Sequence, residues 1–136
     1  MLPQDTLARL GGVARRAELI EAGWWDEHIE MAVTFRRIVR VRKGLYALPT
    51  VCAEGLVALK VGGRLACVSA LAHHEGRCAD PAEVIHVEVR STASRLRLPV
   101  DRTVVVHWTR RRHAGSRVTV SETVARAQAA CCRGLA

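Results

Sequence analysis

The stretch "GGVARRAELIEAGWWDEHIEMAVTFRRIVRVRKGLYALP", residues 11–49, decides the fold. Its first two thirds carry helical spacing. "VARRAELIEAG" predicts one helix, with Val13, Ala17, Ile20 and Leu19 as an apolar stripe and Gly23 as the stop. "DEHIEMAVTF" predicts the next, with Asp26 as N-cap, acids in the first turn to suit the helix dipole, and Ile29, Ala32 and Val33 facing inward. The period then drops to about two. In "RIVRVRKGLYAL", Ile38, Val39 and Val41 alternate with Arg40 and Arg42, Lys43–Gly44 makes the turn, and "LYAL" returns as a second strand.

A short helix over "LPQDTLARL", with Leu2, Leu7 and Leu10 on one face, precedes this stretch and ends at Gly11–Gly12. Helix, helix, turn, helix and basic hairpin is the order of a winged helix-turn-helix. Pro49 closes that unit, so residues 1–49 are expected to form it and residues 50–136 a small α/β unit, an α+β protein in all. In the second unit "CAEGLVALKVGG" and "ACVSALAHHEG" read as helices. "EVIHVEVR", "RTVVVHWT" and "SRVTVS" read as strands, "RLRL" at Arg95–Leu98 as one face of an edge strand, and "SETVARAQAACC" as a closing helix capped by Ser121.

The chain has 136 residues and a formal net charge of +8, a balance that favours acidic partners, nucleic acid above all. Almost all the positive charge is Arg, whose guanidinium fork grips phosphate well, although an Arg-rich codon bias gives the same composition. No apolar run is long enough to span a membrane, and "MLPQDTLARLGG" lacks the basic start and apolar core of a secretory signal. No membrane association is expected, and a cytoplasmic location is. An odd number of cysteines, 5, at irregular spacing argues against a disulfide framework.

The charge is unevenly dealt. Residues 18–30 hold Glu18, Glu21, Asp26, Glu27 and Glu30 and no base, whereas residues 36–43 hold Arg36, Arg37, Arg40, Arg42 and Lys43 and no acid. Three accounts of the acidic helix stand side by side. The hairpin carries DNA binding, with Arg36, Arg37, Arg40, Arg42 and Lys43 on phosphates, Arg15 and Arg16 at the start of the second helix, and His28, Met31 and Thr34 on the exposed face of the third. Glu and Asp can accept from cytosine, so acids do not exclude base contact. Alternatively the segment bearing Trp24, Trp25, Glu27 and Glu30 anchors a partner protein. In the plainest account the acids favour the helix start and one Trp packs into the core. Arg110, Arg111 and Arg112 are either a second phosphate-binding patch or a solvated loop.

"GGVARRAELIEAGW" and "RIVRVRKGLYALP" resemble the N-terminal winged helix of AbiEi-type antitoxins, the transcriptional regulators of type IV toxin–antitoxin systems. "GGRLACVSALAHHEG" is similar to that family's helix after the wing, and "VIHVEVR" and "VVVHW" continue the likeness more loosely. The resemblance implies a regulator that binds operator DNA and represses its own operon, beside a nucleotidyltransferase-type toxin. Some longer relatives carry a nuclease-like C-terminal domain, and the chain is expected to be a stand-alone regulator, a shortened relative without that domain, or a phage-carried copy. Relatives commonly carry a basic third helix, and this chain departs from them there. The second unit is expected to bind the toxin or to make a homodimer.

No catalytic site, metal or cofactor is expected. Cys67, His73, His74 and Cys78 share one segment, and Cys131 and Cys132 are adjacent, but the usual zinc pattern of paired ligands two to four residues apart is missing. The nearest approach to a nuclease centre is Asp80 with Glu88 and Arg90, where Arg replaces the Lys such a site needs.

Overall fold

A computed structural model describes residues 2–77 and 83–132. It is a mixed α+β structure with six helices and two three-stranded sheets among the described residues. The chain divides into two compact units, Met1–Cys52 and Ala53–Ala136. No helix among the described residues is long and apolar enough to cross a membrane.

The first unit runs α1 (Pro3–Arg9), β1 (Val13–Arg15), α2 (Arg16–Glu21), α3 (Asp26–Thr34), β2 (Val39–Arg42) and β3 (Leu45–Ala47). Each helix starts the same way. The side chain at its third position accepts from the backbone N–H of the residue before the helix: Asp5 from Leu2 at 2.7 Å, Glu18 from Arg15 at 3.0 Å, and His28 from Trp25 at 3.0 Å. The cap of α3 is therefore Trp25 and not Asp26, which becomes the first helical residue.

The second helix is shorter than its sequence pattern predicts, because Val13–Arg15 leaves it to become a strand. Val13 pairs with Ala47, Ala14 with Tyr46 and Arg15 with Leu45, all antiparallel, giving the sheet order β1-β3-β2. Long-range pairing outweighs the helical preference of three residues. The expected stripe shifts with it: Leu19 is fully buried, whereas Ala17 and Ile20 face solvent. The core of the unit joins Leu7, Ala14, Leu19, Ile29, Ala32, Ile38 and Tyr46, with Leu10, Trp24, Val33 and Leu48 packed around them, while Leu2 is exposed. Burying each of the larger aliphatic chains contributes about 1.5–3 kcal/mol. At the hairpin turn Gly44 takes φ 78°, a left-handed conformation that a side chain would strain.

The second unit runs α4 (Ala53–Val61), β4 (Arg64–Leu65), α5 (Cys67–His74), β5 (Ile85–Arg90), β6 (Val104–Thr109) and α6 (Glu122–Cys131). The sheet order is β4-β5-β6, with β4 antiparallel and β6 parallel to β5. Ile85 to Val89 are buried without interruption, so β5 is covered on both faces, as a central strand with a parallel neighbour should be. Gly63 lets β5 come close, since a Cβ there would lie 1.9 Å from the Glu88 carbonyl oxygen. Ser121 caps α6 as expected, its side chain accepting from the Val124 N–H at 3.3 Å.

Two predicted strands do not form. "SRVTVS" makes only isolated bridges, Leu65 with Thr119 and Gly115 with Val120. Ser116 Oγ accepts from the N–H groups of Val118 and Thr119 at 3.2 Å each, folding the segment into a turn. "RLRL" stays irregular because Arg95 sits at φ 58°, which interrupts an extended chain.

Candidate nucleic-acid interface and a cysteine–histidine cluster

The residues expected to meet DNA fall into two sets. Arg36, Arg37, Arg40 and Lys43 are exposed and Arg42 is half-buried, at the end of α3 and along the β2–β3 hairpin. The end of α3 is closed by a Schellman motif: the Arg37 N–H donates to the Ala32 carbonyl at 2.8 Å and the Arg36 N–H to that of Val33 at 3.0 Å. Arg36 occupies the left-handed position of that motif, φ 58°, where glycine is usual. A bulge between Arg40 and Arg42 leaves Val41 as the extra residue and turns its side chain into the core.

Arg15 and Arg16 are otherwise engaged. Arg15 Nε lies 3.7 Å from Glu18 Oε1, and the Arg16 guanidinium pairs with the Asp26 carboxylate. Two of the five acids of residues 18–30 thus face an arginine of the same unit. His28 is exposed, but its Nδ1 caps α3 and its ring lies edge-on to Trp24 at 5.5 Å. Thr34, Glu27, Glu30 and Met31 lie on the exposed face of α3.

The two tryptophans separate. Trp24 is half-buried, and its indole N–H donates to Thr6 Oγ1 at 2.9 Å, so it belongs to the core. Trp25 is 68% exposed. Met31 and Phe35 are also exposed and, with Leu2, Pro3 and Trp24, line an apolar groove between α1 and α3.

In the second unit, Arg110, Arg111 and Arg112 are exposed on the loop after β6. Thr109 Oγ1 holds that loop by accepting from the Arg111 N–H at 3.2 Å and donating to its carbonyl at 2.6 Å. Glu88, weighed as a nuclease carboxylate, is buried with both oxygens engaged. Arg64 Nε and Nη2 donate to Oε2 at 3.2 Å each, Gln128 Nε2 donates to Oε1 at 3.1 Å, and His113 Nδ1 pairs with Oε1. Arg64 also donates to the carbonyls of Ser116 at 2.7 Å and His113 at 2.6 Å. That network ties β4, β5, α6 and the 113–116 loop together. Asp80 and Cys78 lie outside the described residues.

A constellation that the sequence pattern did not single out lies where the start of α5, the end of α6 and strands β5 and β6 meet. Cys67, His86, His107 and Cys132 each bring one ligand atom to within 4.8 Å of all the others. His86 and His107 share a sheet face, because His86 pairs with Val105 and Glu88 with His107 in the parallel register. Burial pushes the Cys67 thiol up to about 11. Burial also holds both imidazoles below their ordinary value, helped at His86 by the charge of His107 and opposed at His107 by Glu88. His73 and His74 belong elsewhere: their rings lie edge-on to each other, and His74 Nε2 bonds the Val120 carbonyl at 2.8 Å. The four residues come singly from four elements, so no local spacing could have announced them.

Compared with known proteins, the chain matches no family model, and no curated sequence matches it at a significant level.

Proposed function

We propose that the first unit is a winged helix-turn-helix and that the protein is a DNA-binding transcriptional regulator, acting in the cytoplasm without catalysis. The observation that carries this reading is the basic arc of Arg36, Arg37, Arg40, Arg42 and Lys43 along the end of α3 and the hairpin. The order α1-β1-α2-α3-β2-β3 and the sheet order β1-β3-β2 support it. A winged helix uses a first strand of this kind to complete the sheet beneath its hairpin. The strand β1, absent from the sequence expectation, therefore strengthens the reading. Arg15 and Arg16 contribute less, since both face carboxylates. The resemblance of residues 11–49 to AbiEi-type antitoxins extends the proposal to repression of the protein's own operon, with a nucleotidyltransferase-type toxin as partner and a homodimer as the operator-bound form.

The test is fluorescence anisotropy with labelled duplex, the region upstream of the protein's own gene against a scrambled duplex, across a salt series. Preference for the upstream region, with log K falling by about 0.9 per log unit of salt for every phosphate neutralised, is the expected result. No binding at low salt would overturn the proposal.

A second reading is favoured by one observation, the exposure of Trp25, Met31 and Phe35 beside Glu27 and Glu30. In it the acidic segment is a surface for another protein. Trp25→Ala would then abolish partner capture and spare DNA binding, whereas Trp24 acts in the core under either reading.

A further inference from the structure

Two thiols and two imidazoles at one point in a small domain call for a cause. Cys67 and His86 are buried and His107 and Cys132 half-buried, and apolar side chains would fill these positions without the cost of burying polar groups. A metal-free cluster has its own contacts: His86 Nδ1 and His107 Nε2 lie 2.9 Å apart, and Cys132 Sγ lies 3.9 Å from each. Those separations are also close to the edges of a coordination tetrahedron. Zinc bonds of about 2.0–2.1 Å to nitrogen and about 2.3 Å to sulfur require roughly 3.4 Å between two nitrogens and roughly 3.6 Å between nitrogen and sulfur. To reach those values the two nitrogens would part by about 0.5 Å and Cys132 Sγ would close on each by about 0.3 Å.

We propose that Cys67, His86, His107 and Cys132 form a closed tetrahedral site for one Zn²⁺ ion, fastening the end of α6 and the start of α5 to the β5–β6 pair. This inference is independent of the DNA-binding proposal. The donor set selects the metal, since two sulfurs and two imidazoles in a tetrahedron suit zinc and disfavour the oxygen-seeking Mg²⁺ and Ca²⁺. Two thiolates balance the 2+ charge, and four protein ligands leave no position for substrate, so the site is structural.

Two observations beyond the donor atoms support it. Cys67 holds a left-handed backbone, φ 53°, as do Arg36 and Arg95, a conformation uncommon for a residue with a Cβ and often found at ligand sites. Hydrogen bonds from the backbone also fix the positions of Cys67 and His86. The Cys67 N–H donates to Gln128 Oε1 at 2.9 Å, and the other end of that amide reaches Glu88, while the His86 N–H donates to Ser69 Oγ at 2.8 Å. Gln128 thus links the cysteine's backbone to the buried Arg64–Glu88 pair.

The test is elemental analysis of the full chain, purified under reducing conditions from zinc-supplemented culture without a polyhistidine tag. About one zinc per chain is expected, falling to background in Cys132→Ser and His107→Ala and unchanged in Cys131→Ser. Should the ligand variants fail to fold, the wild-type chain still decides. After chelation, titration with Co²⁺ should give the near-ultraviolet thiolate charge-transfer band and the strong visible bands of tetrahedral cobalt, both bleached by equimolar Zn²⁺. A wild-type chain that carries no zinc and takes up neither ion after chelation would overturn the site. So would a Cys67–Cys132 disulfide in the reduced preparation, seen as the loss of two hydrogens in the intact mass.

Discussion

Replacing Arg36 by glycine separates what the backbone of this residue costs from what its side chain does. The left-handed position of the α3 Schellman motif costs a residue with a Cβ about 1–2 kcal/mol. Glycine removes that strain but gives the unfolded chain more freedom, which returns about 0.5–1 kcal/mol. The net expectation is a first unit stabilised by about 0.5–1 kcal/mol, or a rise of roughly 2–8 °C in its melting midpoint. The motif's hydrogen bonds join backbone atoms only, so they survive the change. If the guanidinium meets a phosphate, the same variant loses about 0.9 from the salt slope. Arg36→Ala is the control: it keeps the Cβ and the strain, so its stability should match the wild type while its salt slope falls as the glycine variant's does. Thermal melts followed by Trp fluorescence and the anisotropy series read the two effects separately. A glycine variant less stable than wild type would refute the strain argument, and an unchanged slope in both variants would remove Arg36 from the interface.

Arg40→Ala with Arg42→Ala should reduce the salt slope by about 1.8 and weaken every duplex alike, and unchanged affinity would rule out the hairpin. Glu27→Gln and Glu30→Gln should each tighten binding only about twofold at physiological salt; a tenfold gain in the same assay would mean that α3 lies against phosphate. Trp24→Phe removes the bond to Thr6 Oγ1 and should cost about 1–2 kcal/mol in chemical denaturation, with DNA binding retained in the folded fraction. Glu88→Ala strands the buried Arg64 and should destabilise the second unit by about 3–5 kcal/mol, and a stable Glu88→Ala protein would show that the network is dispensable.

What could be read from the sequence was local in origin. The hairpin announced itself through alternating Val and Arg around Lys43–Gly44, and α3 through Ile29, Ala32 and Val33. Ser121 marked the start of α6 because a cap acts within three residues. What escaped depends on partners far along the chain. Val13–Arg15 continues a helical pattern and becomes a strand only because Leu45–Ala47 is there to pair with it. "SRVTVS" has the alternation of a strand, yet Ser116 bonds its own neighbours and leaves Leu65 to meet Val118 and Val120 across a single bridge. Arg95 broke the "RLRL" strand through a backbone angle that residue type alone does not foretell. The Cys–His cluster was hidden for the same reason on a larger scale, since the parallel register of β5 and β6 brings its two histidines together.

The acidic third helix and a DNA-binding first unit are compatible on electrostatic grounds. Asp26 and Glu18 already face Arg16 and Arg15, which leaves Glu27 and Glu30 as the exposed acids of α3 itself. At about 1.5 Å of rise per residue, Glu27 stands roughly 13 Å from Arg36 along the helix and Glu30 roughly 9 Å. The Debye length at physiological salt is about 8 Å, so the field of the basic arc reaches a phosphate largely undiminished by Glu27 and only partly by Glu30. The two charges divide the labour along one helix. Bases at its C-terminal end and on the hairpin would supply attraction to a duplex. Acids at its N-terminal end suit the helix dipole and would repel any duplex that docked the other way round. If the first unit binds DNA as proposed, an acidic helix beside a basic hairpin would orient the protein on the duplex, and affinity would come from the backbone contacts of the hairpin.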